Sequence, residues 1–381
     1  MKKLFLALLI LISISYGKSQ NVVAVIIDGA RYTETFGDSL RRYIPGMDSL
    51  SRLGSIVDQF YNNHKTYTSA AIPALLTGSW AGTRDTVYNG QSTQYCLRPS
   101  IFEYFRKQKQ APDSDAIYAL KYVTSLWLLS FDKDYGPQYW PMTVSQGEND
   151  VQVMDSAIGL LKHYHPQFAW IYLADVDHAG HTGIWQQYVS AIKTADSLVF
   201  VLWDFLQNDS IYKNTTYLFV TNDHGRHDDQ HGGFQNHGCS CLGCRHIMFL
   251  ALGPGIKQNY VSEKNYETQD FTPTLAYVLG VTPDKADGSV IGDVFTAYNI
   301  TAPAGRDVNF SIKNNTLIVT SDTPITSNIS LYDIKGSKVA DLGVHKIHKT
   351  LRIKLPHLPQ GVYVVVLSNG SWRRSKQIVL Y

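Results

Sequence analysis

Tyr217-Leu218-Phe219-Val220-Thr221-Asn222-Asp223-His224-Gly225 is the stretch from which the fold can be read. Its first four residues form an apolar run of strand length, expected as a buried strand. An Asp and a His then stand side by side where that strand should end, and a Gly lets the backbone turn. Ligand sites in open α/β sheets lie beyond the carboxyl ends of strands. A carboxylate and an imidazole presented there suit a divalent metal such as zinc. The competing reading is that Asp223 caps a helix and His224 lies on the surface.

Working outward, two other apolar runs end in the same way. Asn21-Val22-Val23-Ala24-Val25-Ile26-Ile27 is followed by Asp28-Gly29. Phe168-Ala169-Trp170-Ile171-Tyr172-Leu173 leads to Asp175-Val176-Asp177-His178-Ala179-Gly180-His181. A fourth run occupies 247–252, and residues 185–206 place their apolar side chains at helical spacing. Alternation of this kind predicts an α/β fold: a mostly parallel sheet with helices on both faces. Three acid-ended strands on one rim call for a cation, because neighbouring carboxylates repel. Mixed Asp and His donors favour zinc or another transition ion over calcium or magnesium. Asp177 and His181 stand four apart and form the expected pair, with Asp175 and His178 as local competitors.

In order, Asp28, Asp177-x-x-x-His181, Asp223-His224-Gly225 and His237-Gly238 resemble the alkaline phosphatase superfamily, most closely its nucleotide pyrophosphatase/phosphodiesterase branch. The resemblance spans roughly residues 21–297 and includes the late segment 270–280. It implies two divalent metal ions, zinc by preference. One would be shared by Asp28, Thr68, Asp223 and His224, the other by Asp177, His181 and His237. It also implies a nucleophilic Thr ten residues before the Gly of Ala74-Leu75-Leu76-Thr77-Gly78, which is Thr68. An Asn eleven residues after that Gly would contact a phosphoryl oxygen, and Asn89 stands there. The branch has a Pro two residues after its nucleophile. Here the sequence runs Ser69-Ala70-Ala71-Ile72-Pro73, so the helix is expected to begin at Pro73 or to be distorted there. Thr66 and Ser69 therefore stay open as nucleophiles, and His231 stands in reserve for His237. The implied activity is hydrolysis of a small-molecule phosphate ester, diester or nucleotide, through a phospho-threonine. Alternatives are a phosphomonoesterase, a phosphonate hydrolase, a sulfatase-like enzyme, or a surface binding protein on a degenerate scaffold.

The two ends of the chain differ from its middle. Met1-Lys2-Lys3, the apolar run 4–14 and Ser15-Tyr16-Gly17 read as a signal peptide over 1–17. No later stretch is long and apolar enough for a membrane span. The formal charge of +2 points to no nucleic-acid partner, but it is unevenly spread. Residues 303–381 carry eleven Lys or Arg against four Asp and no Glu, a surplus of +7, which leaves −5 elsewhere. That step, with Ala302-Pro303-Ala304-Gly305, predicts a hydrolase domain over 21–300 and a β-sandwich over 306–381. Ser330-Leu331-Tyr332-Asp333-Ile334-Lys335-Gly336 and Leu358-Pro359-Gln360-Gly361-Val362-Tyr363-Val364 resemble the C-terminal sorting domain of the type IX secretion system. That resemblance implies a member of the Bacteroidota, a secreted or surface-attached product, and the secretion machinery as partner. Of four Cys, three crowd into Cys239-Ser240-Cys241-Leu242-Gly243-Cys244. In an exported chain these favour disulfides over the alternative of a Cys-rich metal clip.

Overall fold

The computed structural model describes residues 20–121, 129–145, 147–297, 308–313, 315–333, 337–368 and 373–380. The expected signal peptide and the linker at 302–305 lie outside them. An eight-stranded sheet contains β1 (Asn21–Ile27), β2 (Ser55–Val57), β3 (Ala116–Leu120), β4 (Met142–Ser145), β5 (Phe168–Leu173), β6 (Thr216–Thr221), β7 (Phe249–Leu252) and β8 (Tyr260–Ser262). Their order is β8-β2-β7-β6-β1-β5-β3-β4. All but β7 run in one direction, so the sheet is mostly parallel as expected. The run at 247–252, read beforehand as another strand of the series, supplies that antiparallel exception.

β1 shows why the sequence folds this way. Every residue in it is buried. Val22, Ala24 and Ile26 join one apolar cluster, with the helices Thr68–Thr77, Ile101–Lys109 and Phe271–Leu279. Val23, Val25 and Ile27 join the other, with Pro45–Ser51, Asp150–Tyr164 and Trp185–Asn208. A strand covered by helices on both sides has no polar face to display, hence the unbroken aliphatic run. Each fully buried Val or Ile contributes about 1.5–3 kcal/mol.

The Thr68–Thr77 helix corrects one expectation. It neither begins at Pro73 nor breaks there: it runs through it, and Thr68 is its first residue. Pro73 removes one backbone donor, but the helix is buried along Ala71–Thr77 and ends on Gly78 in the left-handed conformation, φ +67°. Packing of that face outweighs the Pro penalty of about 3 kcal/mol.

The C-terminal part is all-β. Its strands Val308–Lys313, Thr316–Asp333, Lys338–Lys354, Gly361–Ser368 and Arg373–Leu380 form an antiparallel half-barrel around one apolar cluster. The long Thr316–Asp333 strand makes that possible. Its first half pairs with Val308–Lys313, its second half with Gly361–Ser368, and a register shift lies between.

Glu103 holds the segment from Ser130 to Gly136. It closes a capping box with Ser100, and its carboxylate also accepts from Ser130 Oγ at 2.5 Å and Gly136 N at 2.9 Å. Burial pushes this acid up to about 7, against the pull of those hydrogen bonds. Between the unfolded value of about 4.3 and 7, the folded chain keeps a proton that the unfolded chain has lost. The stability Glu103 contributes is therefore full below that window and declines as pH rises through it. We expect the advantage of the wild type over Glu103→Gln to shrink by on the order of 3 kcal/mol between pH 4.5 and 7.5. Urea-unfolding midpoints of both proteins at the two pH values measure it; a constant difference would contradict the assignment.

Candidate metal centre

β6, β1 and β5 are neighbours at the middle of the sheet and point the same way. Ile27 is level with Leu173, and Ile26 with Thr221. Their carboxyl ends therefore share one rim, where Asp28, the Asp175–His181 helix and Asp223-His224 all begin.

Asp28, Asp223 and His224 are buried there, with one donor atom of each within 4.8 Å of the others. His224 Nε2 lies 3.4 Å from Asp28 Oδ1 and 3.4 Å from Asp223 Oδ2. Thr68 Oγ1 is 3.2 Å from the same nitrogen and 3.4 Å from Asp28 Oδ2. Asp177, His224 and His237 make an overlapping triple. His237 Nε2 is 3.5 Å from Asp177 Oδ1 and 3.1 Å from His181 Nε2, and His181 Nε2 is 3.2 Å from Asp177 Oδ2. Asp177 and His181 meet because they are one helical turn apart. The six expected Asp and His side chains and Thr68 thus gather in one pocket.

The residues fit metal ions on three counts. First, His224 Nδ1 lies 2.9 Å from Gly225 O and His237 Nδ1 lies 3.1 Å from Thr66 O. A carbonyl only accepts, so each Nδ1 carries the proton and each Nε2 turns a lone pair inward. Second, Asp223 Oδ2 is buried and has no hydrogen-bond partner among the described residues. Third, the charges are poised for a cation. Burial raises Asp28 well above its usual range, with the Asp223 charge adding to it. Burial brings Asp223 to about 7 and drives His237 down to about 4. At Asp177 burial again works upward, but His224 and Arg226 outweigh it and the acid is lowered. A cation among these groups favours the ionised acids and the neutral imidazoles together.

Two supporting side chains were not foreseen. Tyr172 donates its hydroxyl to Asp28 Oδ2. Arg226, fully buried, donates from Nη1 to Asp177 Oδ1 and from Nη2 to Gln235 O at 2.8 Å. In sequence Tyr172 reads as one more apolar strand residue and Arg226 as a turn residue. A charged side chain directly after Asp-His-Gly was the available signal. Space around this pair is tight. A Cβ on Gly29, at φ +68°, would lie 2.7 Å from Asp177 Oδ1, and one on Gly180 would lie 2.4 Å from Arg226 Cζ. That is the physical reason for Gly in Asp28-Gly29 and in Asp177-x-x-Gly180-His181.

The competing candidates have other partners. Thr66 donates its hydroxyl to Cys239 O at 2.7 Å. Asp175 accepts from Lys121 Nζ at 3.2 Å and from Asp150 N at 2.8 Å. His178 Nδ1 is 4.0 Å from Asp175, and the exposed His231 pairs with Asp228. Ser69 follows Thr68 in the helix and is half-buried. Asn89 is exposed at the tip of the hairpin formed by Thr83–Tyr88 and Gln91–Cys96, with φ +51° ahead of Gly90 at +80°. An Asn-Gly pair there satisfies the tight turn by itself, a reason for Asn that the sequence reading overlooked. The hairpin's aromatic side chains pack against those of residues 131–140: Tyr88 meets Trp140, and Tyr95 meets Phe131 edge-on at 5.0 Å.

Residues 135–282 match the profile of the metalloenzyme superfamily. Over those residues the chain is similar to that superfamily, the group of alkaline phosphatase. Residues 303–381 match the secretion system C-terminal sorting domain. Among curated proteins, 2,3-bisphosphoglycerate-independent phosphoglycerate mutases of Legionella pneumophila are 28% identical over 110 residues, 29% of this chain and 20% of theirs. The chain thus spans about a fifth of the length of the curated relatives it matches. Among solved structures, murine ectonucleotide pyrophosphatase/phosphodiesterase 5 aligns with TM-score 0.54 and 17% identity, over 72% of this chain and 100% of that one. A 2-O glycosaminoglycan sulfatase aligns with TM-score 0.56 and 12% identity, over 94% of this chain and 85% of that one. At such identities these two share the fold. The metalloenzyme match implies metal ions, and the sorting domain marks the chain for secretion or surface attachment by the type IX system. Among the described residues no helix is long and apolar enough to cross a membrane.

Proposed function

We propose that this metalloenzyme hydrolyses phosphate esters, diesters or nucleotides ahead of monoesters, with Thr68 as nucleophile. One observation carries the reading: Thr68 Oγ1 stands 3.2 Å from His224 Nε2, beside the buried acids, at the first residue of a helix. Asp28, Thr68, Asp223 and His224 would hold one ion, and Asp177, His181 and His237 the other, with zinc suited to both donor sets. When bound, these ions supply the Lewis-acid charge that favours an ionised hydroxyl and balances phosphoryl oxygens.

The chain's own residues do the rest. Tyr172 and Arg226 fix the rotamers of Asp28 and Asp177 by hydrogen bonds. The Gly225 and Thr66 carbonyls keep the protons of His224 and His237 on Nδ1. Thr68 stands at the positive end of its helix, where phosphoryl charge is favoured. Its oxygen bonds to phosphorus as the ester oxygen leaves and takes up a proton. Water then attacks the same phosphorus and releases Thr68, which recovers its proton. Asn89 would approach the phosphoryl group from the hairpin only if that hairpin turns over the rim. We place the catalytic unit at 21–300 and the sorting unit at 306–381.

The diester preference draws support from the murine structural neighbour, whose Thr→Ala variant is described as inactive and was solved with AMP. The phosphoglycerate mutase and sulfatase likenesses favour monoester or sulfate chemistry as the second reading. A Thr cannot supply the aldehyde that sulfatases make from Cys or Ser, although Ser69 stands next to it. Rates of nitrophenol release from a bis-aryl phosphate, an aryl phosphate and an aryl sulfate decide. We expect the bis-aryl phosphate to turn over at least ~10-fold faster, about 1.4 kcal/mol in transition-state binding. Faster turnover of the monoester or the sulfate would overturn the preference.

A further inference from the structure

The loop that joins His224 to the strand partner of Phe60 carries a second set of donors that phosphoryl chemistry leaves unused. His227 Nε2 is buried and has no hydrogen-bond partner among the described residues. Its backbone is fixed by a hydrogen bond from His227 N to Asn236 O at 2.8 Å. Cys239 Sγ and Cys244 Sγ lie 3.6 Å apart, and one donor atom each of His227, Cys239 and Cys244 falls within 4.8 Å of the others. Asp228, His231 and Cys241 form a second triple on the same loop.

Cys241 N–H donates to Cys239 Sγ at 3.2 Å. Burial raises the Cys244 thiol, while the N–H groups of Cys239 and Gly238 work against that rise. N–H···S bonds favour the charged sulfur that a metal needs. In this structure Cys239 and Cys241 are joined by a disulfide, which shows that their sulfurs can meet. It leaves Cys244 beside them as a buried thiol, and Cys96 is buried on the separate hairpin strand Gln91–Cys96. Three thiols in one loop cannot all pair with each other, but one metal ion can use all three. Tetrahedral zinc–thiolate sites hold their sulfurs about 3.8 Å apart, as follows from a Zn–S bond of about 2.3 Å.

We propose that, in its thiol form, this loop binds a further zinc-class ion through Cys239 Sγ, Cys244 Sγ and His227 Nε2, with Cys241 Sγ as fourth donor. The chain is synthesised with free thiols, so the site can load without a reductant. Binding exchanges the thiol protons for the metal, and only later exchange with a disulfide oxidant, itself reduced to two thiols, would join Cys239 to Cys241 and expel the ion. The site is structural. It would brace the rim through contacts already present: Gly225 N to Cys244 O at 2.8 Å, Thr66 Oγ1 to Cys239 O at 2.7 Å, and His237 Nδ1 to Thr66 O at 3.1 Å. The ion would thus tie the loop bearing His237 to the turn bearing His224.

The test uses the full chain, purified without oxygen and loaded with cobalt(II). The catalytic donors contain no sulfur, so a thiolate-to-cobalt charge-transfer band reports this site alone. We expect the band in the reduced wild type, about three metal equivalents per chain, and loss of the band with one equivalent in Cys239→Ser/Cys244→Ser. His227→Ala should weaken the band without removing the other two ions. Oxidised wild type should lack the band and retain two equivalents. Absence of the band in reduced, folded wild type would overturn the proposal whatever the variants do, as would an unchanged metal count in the Cys variant.

Discussion

Thr68→Ala is expected to lower ester hydrolysis by roughly 10^3-fold or more while the protein keeps its metal ions. The reason lies in what the hydroxyl touches. Thr68 Oγ1 meets His224 Nε2 and the Asp28 carboxylate, but both ions would retain their Asp and His donors without it. The deletion removes a reacting atom and leaves the cage. It removes one hydroxyl and one methyl group from the first turn of a helix that is buried only beyond it. Stability should therefore change by less than about 1 kcal/mol. Ser69→Ala in parallel should retain most of the activity, and Thr68→Ser should restore part of it. If Ser69→Ala is the inactive variant, the nucleophile is misassigned and the sulfatase-like reading regains its footing. Metal content and thermal midpoints of all three proteins separate loss of chemistry from loss of fold.

Asp223→Asn is expected to act in the opposite order, through the metal first. Asp223 is fully buried, its Oδ1 accepts from Gly29 N and His224 N, and its Oδ2 has no partner among the described residues. Asn keeps the shape and the carbonyl acceptor but removes the charge. Metal affinity should fall by ~10^2-fold or more and activity by on the order of 10^3-fold at limiting metal. The metal-free variant should be as stable as the metal-free wild type or more so, because an unpaired buried charge has gone. The wild type should gain more stability than the variant when metal is added. At a thousandfold excess over Kd that gain is about 4 kcal/mol. A variant that unfolds without metal while the wild type does not would show that Asp223 serves the fold instead.

The sheet was legible because β1, β5 and β6 are buried on both faces and so are apolar, aliphatic or aromatic, over almost their whole length. The rim was legible because acids follow the ends of those three strands within four residues. What could not be read was strand direction: the apolar run at Phe249–Leu252 looks the same whether it pairs parallel or antiparallel with β6. The Thr68–Thr77 helix was misjudged because a local rule about Pro73 was applied without the burial that overrides it. Asn89 was chosen by offset from Gly78, and counting residues cannot see that Asn89-Gly90 closes a hairpin. Tyr172 and Arg226 escaped notice because their role depends on residues 144 and 49 positions away. Each reaches Asp28 or Asp177 only once the sheet has assembled.

The most direct test is anomalous X-ray scattering at the zinc edge from crystals of the zinc-loaded protein. Two peaks are predicted at the strand rim, one bonded to Asp28, Asp223 and His224 beside Thr68 Oγ1, the other to Asp177, His181 and His237. Any ion at Cys239 and Cys244 would appear as a separate peak and does not bear on this outcome. A rim without anomalous density, in crystals of protein that binds zinc elsewhere, would contradict the account.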